Sequence, residues 1–170
     1  MSGGGVHVLA PVSVGREHGF EAALSAHIHR ACWLAGQSCR IADLDRLDAF
    51  VARALADLAT QRRTIVVDVI TGDGDDVRPD PVRAMCVLLG IPAAHTPRVA
   101  RWAAAASVDP AVLAQLCGYI DVLVAVRCGA PTSDLLTALI HAEHDGDELD
   151  SDDMRVVVAA LLCCAAAAAR

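Results

Sequence analysis

The chain has 170 residues, 55% of them apolar but only 3% aromatic. That is one domain's length, with an interior that Ala, Val and Leu must fill, the small aliphatics of close-packed helices. Fourteen Arg, no Lys and 21 Asp plus Glu give a formal charge of -7, which repels phosphate backbones and argues against nucleic acid as a partner.

In chain order, residues 1–15 carry three consecutive Gly and a Pro without any amphipathic period, and are expected to form a flexible N-terminal arm. The remainder, 16–170, is expected to form a single domain. Residues 16–35 read as a helix stopped by Gly36. A second helix follows, since Ile41, Leu44, Leu47, Val51, Ala54, Leu55 and Leu58 recur at three- and four-residue steps. Thr64 to Ile70 is a β-branched run, predicting a short strand over 64–70, and 71–80 is a Gly, Asp and Pro loop. Pro81 opens a short helix stopped by Gly90 and Pro92, and further helices are predicted over 97–106, 110–127 and 133–141. Ser151 as cap, with Asp152 and Asp153 in the first turn, begins a last helix that runs to Arg170. About seven helices without a βαβ rhythm make an all-α fold. The longest uninterrupted apolar run, 156–169, is shorter than a bilayer span, so no membrane is expected. Residues 1–5 lack the basic region of a secretory signal, and a cytoplasmic protein with its seven Cys as thiols is expected.

Few residues suggest chemistry. His27 and His29 lie two apart, roughly 200° around a helix, and one metal would not take both. His141 and His144 lie three apart among acids, a spacing that can converge on Zn, though a solvated loop explains it as well. Asp73, Asp75 and Asp76 alternate with Gly72 and Gly74 but lack the Gly and the closing Glu of a calcium loop. Cys163 and Cys164, in an Ala-rich run with no basic neighbour, read as packing thiols. No metal or cofactor is expected. Trp33 and Trp102 read as core anchors.

The segment PTSDLLTALIHAEHDGDELDSDDMRVVVAALLCCAAAAAR resembles the H-helix, acidic turn and I-helix of an actinobacterial-type cytochrome P-450. Upstream, CGYIDVLVAVRCGAP resembles the end of its G-helix, and RPDPVRAMCVLLGIPAAHTPRVARWAAAAS its E- and F-helices. IADLDRLDAFVARALADLA is similar to the D-helix and SAHIHRACW to the C-helix, so the resemblance runs over about residues 25–170. It implies a P-450-like helical fold reaching into the first half of the I-helix. It also exposes departures. Where the family's I-helix carries a small-Gly-x-acid-Thr-Thr stretch for delivering protons to oxygen, this sequence has Ala165, Ala166, Ala167, Ala168, Ala169 and Arg170. His27 matches a propionate-binding position, but Ala31 stands where the family has Arg. The Glu-x-x-Arg helix and the loop with the haem-binding Cys are not among the 170 residues, and no Cys can be carried over as axial ligand.

The resemblance thus implies a haem-free, truncated relative without monooxygenase activity. Three readings follow: an auxiliary or scaffold protein of natural-product biosynthesis, a cofactor-independent cyclase or isomerase using a remnant apolar cavity, or an inactive fragment. For an enzyme the candidate acid-base groups are His27, His29, Asp134 and His141. The last helix, apolar nearly all round after Arg155, is expected to bare an apolar stripe worth on the order of 10 kcal/mol. A homo-oligomer, such as a dimer, or a biosynthetic partner enzyme would cover it, with Trp33, Trp102, Leu161, Leu162, Cys163 and Ala166 lining that interface or a cavity for a small apolar ligand.

Overall fold

The computed structural model describes residues 14–34, 41–71 and 80–170. Eight α-helices occupy most of them: α1 Val14–Leu34, α2 Ile41–Asp57, α3 Thr60–Thr71, α4 Pro81–Leu88, α5 Thr96–Ala106, α6 Pro110–Gly129, α7 Leu135–Ile140 and α8 Ser151–Ala168. A 3₁₀ turn, Ala93–His95, precedes α5. The fold is all-α apart from one small hairpin. Of the expected N-terminal arm, residues 1–13 lie outside the described residues, while Val14 and Gly15 already stand in α1.

Acidic residues start four of the helices by accepting from backbone N–H groups that have no partner within the first turn. Asp80 accepts from Arg83 N at 2.9 Å, Asp109 from Ala111 N at 2.9 Å, and Asp134 from Thr137 N at 2.8 Å. At α8 the cap is Asp150 rather than Ser151. Its carboxylate accepts from Asp153 N at 2.8 Å while the Asp153 side chain accepts from Asp150 N, a reciprocal capping box.

The expected strand over 64–70 is helical and belongs to α3. Val66, Val69 and Ile70 recur at helical spacing and are buried where α3 packs on α1, α4 and α8. Burying such side chains is worth roughly 1.5–3 kcal/mol each, well above the few tenths that β-branching costs a helix. Strand instead forms where only an acidic loop was expected. Asp145 and Gly146, with φ of 54° and 78°, make the two-residue turn in which both positions need positive φ. Around it β1, Glu143–His144, pairs antiparallel with β2, Asp147–Glu148. Arg46 of α2 clamps this hairpin to the start of α8, reaching Asp147 at 3.0 Å and Asp153 at 2.8 Å while its guanidinium lies over the Phe50 ring.

The last helix is the centre of the molecule. Met154 and the unbroken run Val156–Ala166 are buried, with α1, α3, α4, α5 and α6 packed around them. The expectation that α8 would bare an apolar stripe is corrected: the chain's own helices cover it. Ala, Val and Cys leave room for several helix axes to approach one central helix, which a run of larger residues would not.

A second buried feature ties the turn after α4 to α6 and α7. Arg127 and Asp134 pair at 2.8 Å with side chains only 12% and 8% exposed. Arg127 also donates to Gly90 O at 3.0 Å, and Thr132 Oγ1 donates to Asp134 at 2.6 Å. Gly90 has φ of 69°, and a Cβ there would collide with the Asp134 carboxylate and the Arg127 guanidinium. Gly90→Ala is therefore expected to cost about 2 kcal/mol or more, from positive φ and displaced charges together. Asp134→Ala should cost about 3 kcal/mol by stranding a buried cation. Urea denaturation checks both, with Gly129→Ala, whose Cβ meets nothing, as the control that loses no stability.

A candidate ligand cleft between α1, α6 and α8

A cavity lies where α1, α6 and α8 meet. It holds about 430 Å³ and is lined by Ala31 and Leu34 of α1, Leu113, Ala114, Cys117 and Gly118 of α6, and Val156 and Ala159 of α8. These walls are mostly methyl and methylene groups, set by the small residues that let the helices converge. One ion-pair network marks the rim: Arg155 Nε donates to Asp121 Oδ1 at 2.7 Å and Nη1 donates to Asp152 Oδ1 at 2.6 Å. Burial pushes the Cys117 thiol upward, with Arg155 opposing, so it faces the cavity as a neutral SH group. Such a cleft suits an apolar molecule of modest size with one polar edge against the Asp121–Arg155 pair. Its described lining contains no acid-base dyad or activated nucleophile.

The structure disperses the residues the sequence nominated for catalysis. His27 is half-buried and His29 exposed on α1, where both line a shallow groove with Ala26, Arg30 and Trp33. Asp134 is committed to capping α7 and to the pair with Arg127. His141 is exposed at the other end of α7, a helix that packs on α2 and α6. No group of three or more His, Cys, Asp or Glu able to hold a metal occurs among the described residues. Of the other calls, the Gly and Asp run at 72–76 and the His144 side chain lie outside the described residues.

The proposed cavity or interface residues also separate. Leu161, Leu162, Cys163 and Ala166 are interior packing of α8. Trp33 is no core anchor, being 69% exposed. Trp102 is half-buried on the α5–α6 surface, where its Nε1 donates to Gln115 at 3.2 Å and its ring meets Tyr119. Arg98 lies over both rings, and Tyr119 Oη is 2.8 Å from His95 Nδ1. Sequence reasoning missed the cleft and its Asp121–Arg155 pair; they are 34 residues apart, and no local pattern joins them.

A P-450-like fold implies haem held by a Cys thiolate, and the described cysteines do not fit that role. Cys86, Cys163 and Cys164 are buried on helices. Burial pushes the Cys86 and Cys163 thiols up to about 11 and the Cys164 thiol up further. Cys128 is exposed near the end of α6.

No known family's sequence model matches the chain. Among individual proteins it is similar to the mycinamicin IV hydroxylase/epoxidase of Micromonospora griseorubida, 32% identical over 124 residues, covering 62% of this chain and 31% of that protein. The chain thus spans about a third of the length of the curated relative it matches. Two solved structures of variants of the mixed-function P450 MycG, with mycinamicin IV and mycinamicin V, align at 24% identity over 95% of this chain and 39% of theirs, with TM-scores of 0.43 and 0.45. The sequence match supports a P-450-like relationship, coarser than membership with a shared activity.

His27 provides a test of the α1 packing. Burial first, then the Arg30 charge, lowers its pKa below 6.5. The unfolded chain therefore binds this proton more readily, and stability falls as pH drops through and below about 6.5. His27→Gln should flatten that part of the stability profile, read as urea midpoints between pH 7 and pH 5.

Proposed function

We propose that this chain is a haem-free, P-450-like auxiliary protein of natural-product biosynthesis, which holds an apolar intermediate or serves a partner enzyme without oxidising anything itself. The observation that carries this reading is the end of α8. The stretch resembling the oxygen-activating part of the I-helix runs as regular helix to Ala168; its side chains from Ala165 to Ala169 are methyl groups, followed by Arg170, where the family has an acid and hydroxyls. Ala165 and Ala166 are buried against the chain's own helices. A helix end lined by methyl groups offers no proton to bound oxygen, which favours binding and positioning over cleavage of the oxygen–oxygen bond. The relative's name refers to mycinamicin IV; for this chain the apolar lining of the α1–α6–α8 cleft supports a small apolar compound as ligand.

Two measurements test this. Titrating the purified chain with ferric haem is expected to give no thiolate-type carbon monoxide difference band, and a stoichiometric band of that kind overturns the haem-free reading. The apolar dye Nile red is expected to bind the cleft, with Cys117→Trp, which fills it, weakening binding by about tenfold or more. Equal dye binding by both forms removes the cleft as the ligand site.

A further inference from the structure

The two ends of the α1–α6–α8 cleft differ in charge. At the rim Arg155 stands between two carboxylates, Asp121 of α6 at 2.7 Å and Asp152 of α8 at 2.6 Å. One guanidinium balances one carboxylate, so this end keeps a net negative charge. Asp121 lines the cleft beside Arg155 and engages it through Oδ1, which leaves Oδ2 to accept from a ligand. The other end has the opposite sign. Ala31, Leu34 and Leu113 are shared with a void of about 10 Å³ bordered by His27, Arg30 and Cys163, room for about one water. Burial and Arg30 hold His27 below its ordinary pKa, so at neutral pH the Arg30 guanidinium is the charge there.

We infer that the cleft takes an apolar amine, with its ammonium group on Asp121 and its hydrocarbon body along Ala31, Leu34, Leu113 and Ala159. An ammonium group carries donors only and matches a free carboxylate oxygen. A ligand carboxylate, in contrast, reaches Arg155 only past two like charges, and both Nε and Nη1 of that guanidinium are already engaged. A neutral alcohol can bond to Asp121 but gains nothing from the charge. Arg30 at the inner end sets the orientation, because it repels a cation that enters head first. This inference rests on the cleft being the ligand site, and it names the class of ligand.

The rim's exposure makes this arrangement affordable for a charged ligand. The Asp121 side chain is 42% exposed and that of Arg155 38%, so an ammonium group seated there keeps part of its water while the chain behind it is buried. Long cationic side chains divide themselves between water and apolar surface in the same way, and the cost of a fully buried charge is avoided. The chain's formal charge of -7 draws cations in the same direction. Charges this exposed are screened and give only a modest preference. An amine should therefore bind about fivefold more tightly than the alcohol of equal length, and the ratio should shrink as salt rises.

Isothermal titration calorimetry of the full chain with n-octylamine, 1-octanol and octanoate tests it. The expected order is amine, then alcohol, then carboxylate, with all three weakened by Cys117→Trp. Asp121→Asn should bring the amine-to-alcohol ratio to about one, whereas Arg155→Gln, which removes the only cation at the rim, should raise it above the wild-type value. A purely structural role for the pair would not move that ratio in opposite directions, and circular dichroism checks that both variants fold. Amine and alcohol bound equally, with Cys117→Trp still weakening both, overturns this inference and leaves the apolar cleft in place. An amine preference that survives Asp121→Asn also overturns it, as general attraction to an acidic surface. Tightest binding by octanoate makes Arg155 the anchor instead. Probes that bind equally to the Cys117→Trp form overturn both this inference and the cleft as the ligand site.

Discussion

Eleven consecutive residues of α8, Val156 to Ala166, are buried by helices from the same chain, and the rest of the fold depends on their small size. Helix axes approach only as closely as the side chains between them permit. A run of Ala, Val, Leu and Cys lets α1, α3, α4, α5 and α6 all reach one central helix. Such a core has little aromatic surface to lock it, so tight interdigitation of small groups must supply the specificity. That geometry also leaves the α1–α6–α8 cleft, an opening lined by Ala31, Ala114, Cys117, Gly118 and Ala159 together with larger residues of the three converging helices.

At least eight of the 21 acidic residues have structural partners. Asp80, Asp109, Asp134 and Asp150 each satisfy backbone donors at a helix start, where a carboxylate also complements the helix dipole. Asp147 and Asp153 hold Arg46, Asp121 and Asp152 hold Arg155, and Asp134 holds Arg127. A carboxylate engaged in this way is a poor general base, because its lone pairs are already directed at donors. Among the described residues the four capping carboxylates serve the fold rather than an open site.

The helix composition carries two different outcomes. α6 and α8 both read as interior helices, but α8 is enclosed on every side while α6 lies at the surface with one face open. Composition sets how much apolar surface exists; position in the bundle sets how much of it the chain itself can cover. The exposed valines of α6 and the enclosed leucines of α8 are chemically alike and differ only in their neighbours.

How much was legible in the sequence follows from the range of the forces involved. The helices α1, α2, α4, α5, α6, α7 and α8 were readable because apolar period, proline at the first turn and acidic caps act within four residues. The β-branched run at 64–70 misled for the opposite reason: a weak local preference yields to burial of Val66, Val69 and Ile70, which distant helices decide. The Asp145–Gly146 turn was open to local reading, since only such residues take positive φ at both positions cheaply. The departures at Ala165 to Ala168 were likewise plain, being a matter of which atoms are present. The clamp of Arg46, the lock of Arg127 on Asp134 and Gly90, the exposure of Trp33 and the cleft were decided only by tertiary structure. Each depends on residues brought together from separate helices, and neither periodicity nor composition encodes which faces will meet.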